Sequence, residues 1–179
     1  MKISTATICQ AALIAAVYTV LSLAFLPISF GPVQCRISEM LTVLPAFLPA
    51  AIPGVAIGCL ITNILGGAIL PDIIFGTLAT LIGAVLTRLL TRGLLNNSQS
   101  GASLRFRLAA VLPPIISNTI IVPLVLKFAY MYDDALYFMA FTVCLGEIIG
   151  IGIIGNILIT VLSRQNILSQ LMKYSDCRA

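Results

Sequence analysis

Charged side chains are scarce in this sequence and histidine is absent, and each of these features excludes a class of function. Of the 179 residues, none is histidine or tryptophan and only 9% are charged. Without histidine, a histidine general base is excluded and a zinc site is disfavoured. The five cysteines lie far apart and include no CxxC pair, so we predict neither a metal site nor a cofactor.

A phosphate-binding loop of the form GxxxxGK[ST] is also missing. The chain therefore cannot hydrolyse ATP by that route. No catalytic constellation is evident, which leaves a membrane enzyme, such as a lipid-modifying one, as a minor alternative. We predict that the chain is not an enzyme and that any ATP hydrolysis belongs to separate partner subunits.

Hydrophobic residues make up 60% of the chain, and its mean hydropathy is +1.11. A soluble domain carries about a quarter charged residues. Here long uncharged stretches cover residues 3–35, 40–71, 73–87 and 108–126, and residues 135–163 contain Glu147 as their only charge. Because about 20 apolar residues cross a bilayer, the sequence predicts an all-α integral membrane protein.

The uncharged stretch 40–71 is too long for one membrane crossing. As a single helix its 32 residues would extend for about 48 Å, against a hydrocarbon core of about 30 Å. Pro45, Pro49, Pro53 and Gly54 lie within it, and proline interrupts helices. We therefore predict two short or tilted helices in this stretch.

Six transmembrane helices follow from these stretches, forming one bundle and a single transmembrane domain over residues 1–179. Their predicted bounds are residues 5–26, 38–48, 53–69, 72–91, 105–128 and 134–163. Residues 93–103 are polar and form a predicted cytoplasmic loop, and residues 164–179 form a predicted cytoplasmic tail. A cleaved signal peptide is disfavoured at the N-terminus because the apolar run there is too long.

The distribution of basic residues predicts the orientation of the bundle. Lys and Arg concentrate on the cytoplasmic side of a membrane protein. The basic residues of the loop and tail are Arg88, Arg92, Arg105, Arg107, Arg164, Lys173 and Arg178. With six helices, both termini are then cytoplasmic, and the protein is expected in the bacterial inner membrane. The net charge of +4 reflects this topology, so we do not expect nucleic acid as a partner.

The segment ISFGPVQCRISE (residues 28–39) is rich in polar groups and falls at the outer face. Arg36 and Glu39 are three positions apart and either pair with each other on a helix or contribute to a pocket with Gln34. Donors and acceptors beside an apolar bundle are typical of small-ligand pockets. We favour the pocket.

Three further polar residues map to the outer half of the membrane. Asp72 follows a proline at the predicted start of a helix, where capping is the favoured role and ligand binding the alternative. Glu147 is costly at mid-helix, and either bonds Asn118 on a neighbouring helix or serves a ligand or a proton. Asn63 is left unplaced, whereas Asn156 falls in the inner half.

Small residues recur at spacings typical of close helix packing. Gly54 and Gly58 form one pair, and glycines of the last helix form another set; packing within the bundle is the favoured role for both. The first helix repeats alanine four residues apart, which suits packing or contact with a partner protein. These alanines are Ala11, Ala12, Ala15 and Ala16.

Several segments together resemble a known family. ISFGPVQCRISE is followed by LTVLPAFLPAAIPG, then by PDIIFGTLATLIGA, SNTIIVPLVL and GEIIG. The sequence resembles the QueT family, the queuosine-precursor substrate-binding (S) components of energy-coupling factor (ECF) transporters. The resemblance runs from about Ala11 to Gly155 and is most specific at residues 29–45.

This resemblance implies a six-helix subunit that binds a 7-deazaguanine, such as the aminomethyl form or queuine, at the outer face. The implied partners are a membrane coupling protein, which meets an AxxxA pattern of the first helix, and two cytoplasmic ATPases. The expected ligand groups come from Gln34, Arg36, Glu39, Asp72, Asn118 and Glu147. Two alternatives remain open: an S component for another vitamin-like solute, and a standalone proton-coupled carrier.

Overall fold

The computed structural model describes residues 4–29, 36–94, 103–131 and 135–164. Within these ranges the regular elements are all helical. They are α1 (Thr5–Ala24), α2 (Leu26–Ser29), a 3-10 helix (Ile37–Ala46), α3 (Ala51–Leu65), α4 (Leu70–Arg92), α5 (Leu104–Phe128), α6 (Leu136–Glu147), a π segment (Ile148–Gly155) and α7 (Asn156–Arg164). The last three follow each other without interruption and form one long helix.

Four of the described helices are long and apolar enough to cross a membrane: α1, α4, α5 and the continuous helix Leu136–Ser163. They expose many large hydrophobic side chains, including Leu13 at 66% and Leu104 at 70% of their surface. Such a surface suits lipid and not water. The part of the chain that the structure describes is therefore all-helical, and its long apolar helices are those of a multi-pass membrane protein. The two remaining predicted helices are present but shorter.

The predicted break in the stretch 40–71 is confirmed, because the 3-10 helix ends at Ala46 and α3 begins at Ala51. The first of the two helices is, however, a 3-10 helix and not the α-helix expected at 38–48. Its ten residues span about 20 Å. It contacts α1, α3, α4, α5 and the π segment, so it lies at the centre of the bundle.

Glycine lets neighbouring helices approach closely in two places. A Cβ on Gly83 of α4 would lie 2.7 Å from the Cα of Pro114 in α5. In α3, a Cβ on Gly58 would lie 2.8 Å from the Cβ of Tyr18 in α1, and one on Gly54 would lie 3.0 Å from the carbonyl oxygen of Ala11. Packing within the bundle, the role favoured for Gly54 and Gly58, is confirmed.

The two ends of the bundle carry different polar contacts. At one end, Arg88 donates to the carbonyl oxygen of Ala46 at 3.2 Å, and Arg107 donates to the hydroxyl of Thr160 at 2.9 Å. At the other end, the hydroxyl of Tyr130 donates to Asp72 at 3.1 Å. The arginines of the predicted cytoplasmic loop thus lie at the end opposite Asp72.

Candidate functional site

Polar side chains from six helical elements meet inside the bundle. They come from α1, the 3-10 helix and the residue before it, α3, α4, α5 and α6. Thr80 and Asn118 lie near the middle of α4 and α5, each about 15 Å from the helix end on the Asp72 side at 1.5 Å per residue. The cluster therefore lies deep in the bundle, near its mid-plane.

Glu39 projects from the 3-10 helix into this cluster and is only 1% exposed. Its Oε1 accepts a 2.5 Å hydrogen bond from the hydroxyl of Tyr18, which is fully buried in α1. The hydroxyl of Thr80 lies 3.4 Å from the same oxygen, and Asn118 also hydrogen-bonds Glu39. Oε1 of the carboxylate is thus contacted from α1 and α4, and α5 supplies a further interaction with Glu39 through Asn118.

Arg36 immediately precedes the 3-10 helix and is 7% exposed. Its Nε donates to the carbonyl oxygen of Ser29 at 3.3 Å, and its Nη1 lies 3.8 Å from the sulfur of Cys59 in α3. Cys59 also receives Asn63 at 3.6 Å and lies 3.4 Å from the hydroxyl of Thr80. A buried cysteine therefore serves as a soft acceptor that helps to orient the guanidinium.

Glu147, the last residue of α6, is 8% exposed. Its Oε1 accepts a 2.9 Å hydrogen bond from Nδ2 of Asn118, which is one of the two alternatives that the sequence left open for Glu147. Glu147 also interacts electrostatically with Glu39 and Arg36. The two acids and the arginine therefore belong to one site.

Asp72 occupies a neighbouring position nearer the end of the bundle. It does not cap α4 as predicted: the N-cap is Ile69, and Asp72 lies in the first turn, 1% exposed. Its carboxylate accepts from Tyr130, its carbonyl oxygen lies 3.5 Å from Nδ2 of Asn63, and it interacts electrostatically with Arg36. α4 starts at Leu70, two residues earlier than predicted. Asp72 therefore contacts side chains instead of the free backbone N–H groups that a capping residue would accept from.

Some buried polar atoms of this cluster have no hydrogen-bond partner among the described residues. They are Oε2 of Glu39, Oε2 of Glu147 and Oδ1 of Asn63. An unsatisfied buried polar group costs about 1–3 kcal/mol, and more when it is charged. These atoms are therefore available to a polar ligand, and the site can offer carboxylate acceptors together with the donors of a guanidinium.

A Tyr18→Phe substitution should lower stability measurably, because it removes the hydroxyl bonded to Glu39 and keeps the buried ring. A hydrogen bond to a charged group contributes about 1.5–3 kcal/mol, so the melting temperature of the purified protein should fall by several degrees. Tyr137→Phe is the matched control, since Tyr137 is 81% exposed. Equal melting temperatures for both variants would contradict the role given to Tyr18.

The structure brings together four of the six predicted ligand residues: Arg36, Glu39, Asn118 and Glu147. Asp72 adjoins them, and Gln34 lies outside the described residues. Residues that the sequence analysis missed are Tyr18, Cys59, Asn63 and Thr80. The sequence left the depth of Asn63 in the membrane open, and the structure places this residue in the site, against Cys59 and Asp72.

The alanines of α1 divide between two faces. Ala15 is 5% exposed, and its carbonyl oxygen lies 3.1 Å from where a Cβ on Gly58 would be. Ala11 similarly faces Gly54, whereas Ala12 and Ala16 are exposed. The pair Ala12 and Ala16 therefore remains accessible to a partner, and the other pair packs against α3.

Two apolar grooves of about 530 and 610 Å³ lie along α4 and α5. Their walls are almost entirely aliphatic and aromatic, including the exposed Leu86 and Phe75. They suit lipid tails better than a polar solute. Among the described residues, no group of three or more acidic, cysteine or histidine side chains is placed to hold a metal ion.

Comparisons with known proteins agree with this membrane architecture. The family model described as "QueT transporter" matches residues 8–164. A protein named "Queuosine precursor transporter QueT" from Lactococcus lactis subsp. cremoris is 40% identical over 83 residues, covering 45% of this chain and 48% of that relative. No solved structure matches. Because the family model covers most of the sequence, the chain belongs to the QueT transporter family.

Proposed function

We propose that this chain captures a queuosine precursor, a 7-deazaguanine, in the buried cluster around Arg36, Glu39, Asn118 and Glu147. The observation that carries the proposal is the pair of buried carboxylates, each with one oxygen left without a partner among the described residues. Membership of a transporter family supports uptake as the role of the site. The name of the relative, a protein that this chain matches over about half its length, supports the substrate class.

A 7-deazaguanine has the complementary hydrogen-bonding groups. Its N1–H and exocyclic amine form an edge of adjacent donors, which one carboxylate accepts together, and its carbonyl needs a donor. Asn118 already donates to Glu147 and also hydrogen-bonds Glu39. Arg36, with five guanidinium N–H groups, is therefore the better donor for the ligand carbonyl.

We further propose that the site opens to the outside of the bacterial inner membrane. The end of the bundle that carries Arg88 and Arg107 would then be cytoplasmic, together with both termini. The 3-10 helix and α3 would complete six membrane segments as a central, non-spanning pair or as short crossings. Asp72 and Tyr130, at the opposite end, would lie between the cluster and the exterior.

The energy for uptake is proposed to come from separate subunits, as the resemblance to ECF substrate-binding components implies. These would be a membrane coupling protein and two cytoplasmic ATPases. The exposed register of α1, Ala12 and Ala16, is the proposed docking face for the coupling protein. A close approach of helices through small side chains is a common way to associate within a membrane.

Binding and energy coupling can be tested on the full-length chain. The purified protein should retain 7-aminomethyl-7-deazaguanine, detected by mass spectrometry, and should bind it more tightly than unrelated vitamins such as biotin. ATPase subunits should copurify with the tagged chain. Uptake should continue when the proton gradient is collapsed while ATP is maintained.

Each alternative predicts a different outcome. A preference for an unrelated vitamin would replace the proposed substrate but keep the subunit role. Uptake that stops on collapse of the proton gradient, with no copurifying ATPase, would replace the subunit role by that of a standalone carrier.

A further inference from the structure

The two apolar grooves along α4 and α5 adjoin each other on the outside of the bundle. Ile82 and Ile121 line both of them, and their volumes are about 530 and 610 Å³. The smaller one, named here the α4–α5 groove, reaches Leu90 and Leu108, near the arginines of the basic end. The larger one continues to Phe128, the last residue of α5. The two grooves together therefore follow most of the helix pair.

The α4–α5 groove has about the length of one bilayer leaflet. Its wall on α5 runs from Leu108 to Ile121, which is about 20 Å at 1.5 Å per residue, and half of a hydrocarbon core is about 15 Å. Leu108, Leu112 and Ile116 of this wall are between 44% and 54% exposed. The groove is therefore open along its length to an acyl chain that lies parallel to the helices.

The floor of the α4–α5 groove is closed toward the interior of the bundle. A Cβ on Gly83 would lie 2.7 Å from the Cα of Pro114, so the two helices are in direct contact there. Ser117 is a polar residue of the lining, and its hydroxyl donates to the carbonyl oxygen of Ala79 at 3.0 Å. The groove is therefore separate from the buried polar cluster and suits an apolar occupant.

Positive charge without a nearby acid marks the basic end of this groove. Residues 73–132 include four arginines and one lysine but no aspartate or glutamate. Arg88 and Arg107 donate hydrogen bonds to oxygens of the protein. Arg92 and Arg105 are instead exposed, one at the end of α4 and the other in the first turn of α5. This end of the helix pair therefore has a positive potential that an anion would complement.

Arg105 lies on the same face of α5 as the groove. It precedes Leu108 by three residues and Ala109 by four, and both of these residues line the groove. Residues at such spacings are neighbours on a helix surface. The general excess of basic residues on the cytoplasmic side requires positive charge at this end but no particular helix face. The alignment with the groove therefore fits a ligand that combines an acyl chain with an anionic head.

We propose that the α4–α5 groove binds a phospholipid with an anionic headgroup, such as phosphatidylglycerol. One acyl chain lies in the groove, Arg105 pairs with the phosphate, and Arg92 adds to the positive potential. A zwitterionic headgroup also carries an ammonium group, for which residues 73–132 provide no acid. This lipid site goes beyond the proposed uptake function and does not depend on which solute the buried cluster binds.

The unmodified full-length chain provides the first test. The purified protein is titrated in detergent with phosphatidylglycerol or with phosphatidylcholine of identical acyl chains, and the lipid-bound fraction is measured by native mass spectrometry. We expect phosphatidylglycerol to bind about 5- to 30-fold more tightly, the range for one or two basic side chains near a headgroup. Equal affinities would overturn the proposal.

Arg105→Gln tests the assignment of the headgroup contact. Affinity for phosphatidylglycerol should fall about fivefold, because one basic side chain near the headgroup is lost, and affinity for phosphatidylcholine should change little. Arg164→Gln is the matched control, since it makes the same change of charge at the last residue of α7. If the two variants lose affinity equally, the preference reflects the overall charge of the chain and the site is wrongly assigned.

Ala109→Phe tests the groove and leaves Arg105 in place. The ring should occupy the space of the acyl chain and remove its van der Waals contacts, so both lipids should bind about fivefold more weakly or worse. Ala16→Phe makes the same change at an exposed alanine of α1 and should leave both affinities near those of the parent. Unchanged binding to Ala109→Phe would overturn the place given to the acyl chain. A dimer that binds neither lipid would mean that a second copy of the chain covers the groove instead.

Discussion

Arg36→Met should abolish uptake and lower the melting temperature of the purified protein by about 6–20 °C. Arg36 is the basic side chain that interacts with Glu39, Glu147 and Asp72. Removing one partner of a buried charge pair costs about 3–5 kcal/mol, which corresponds to this range for a chain of this size. Methionine keeps much of the side-chain volume, so the loss is one of charge and donors.

A second substitution distinguishes charge balance from a general packing defect. Arg36→Met combined with Glu39→Gln removes one of the carboxylates left without a cation, and we expect it to recover part of the lost melting temperature. Uptake should stay absent because the ligand carbonyl still lacks its donor. If Arg36→Met acts through a packing defect instead, the second substitution should lower the melting temperature further.

Arg105→Met is the control for this series. Arg105 lies in the first turn of α5, at the basic end of the bundle, and is exposed. The same substitution there should change the melting temperature by no more than a degree or two, as surface substitutions usually do. If Arg36→Met and Arg105→Met have the same melting temperature, Arg36 does not balance the charge of the buried carboxylates.

Much of the architecture was predictable because it follows from composition. Lipid requires long uncharged helices, so the spans appear directly as apolar stretches. The fold-back in the stretch 40–71 followed from helix length and from its prolines. The high cost of a lone acid at mid-helix indicated that Glu147 needs a partner, with Asn118 as one of the alternatives. These features depend on strong local physical effects.

The faces of the helices were not predictable in the same way. In a membrane helix both the lipid side and the packed side are apolar, so no amphipathic pattern shows which residues point inward. Tyr18 and Cys59 are residue types that serve equally well in an apolar core, and nothing in their neighbourhood marks them as polar contacts of Glu39 and Arg36. Their roles emerged only from the packing of α1 and α3 on the 3-10 helix.

The 3-10 helix and the π segment could not be predicted from the sequence, for a related reason. The 3-10 helix runs for ten residues, although such helices rarely exceed four, because five neighbouring elements hold it. The π segment follows directly after Glu147, and π geometry is common beside functional sites. Tertiary packing, which a single sequence does not display, decides both. The two irregular segments meet where Gly150 approaches Arg36.

Gly150→Ala should therefore weaken substrate binding although it adds only one methyl group. The new Cβ would lie 2.9 Å from the carbonyl oxygen of Arg36, a backbone atom that cannot rotate away. The start of the 3-10 helix must shift, and the guanidinium moves with it. Loss of one charged hydrogen bond to the ligand predicts about 10- to 100-fold weaker binding of 7-aminomethyl-7-deazaguanine, measured by calorimetry.

Gly152→Ala is the matched control in the same π segment. Its Cβ would meet only Ile148 of its own helix, at an ordinary contact distance of 3.5 Å. Both substitutions make the same change in helix propensity, so they differ only in the contact with Arg36. Affinity should fall for Gly150→Ala and stay near that of the parent for Gly152→Ala. Equal affinities would mean that the close approach of the two irregular segments does not position Arg36 for the ligand.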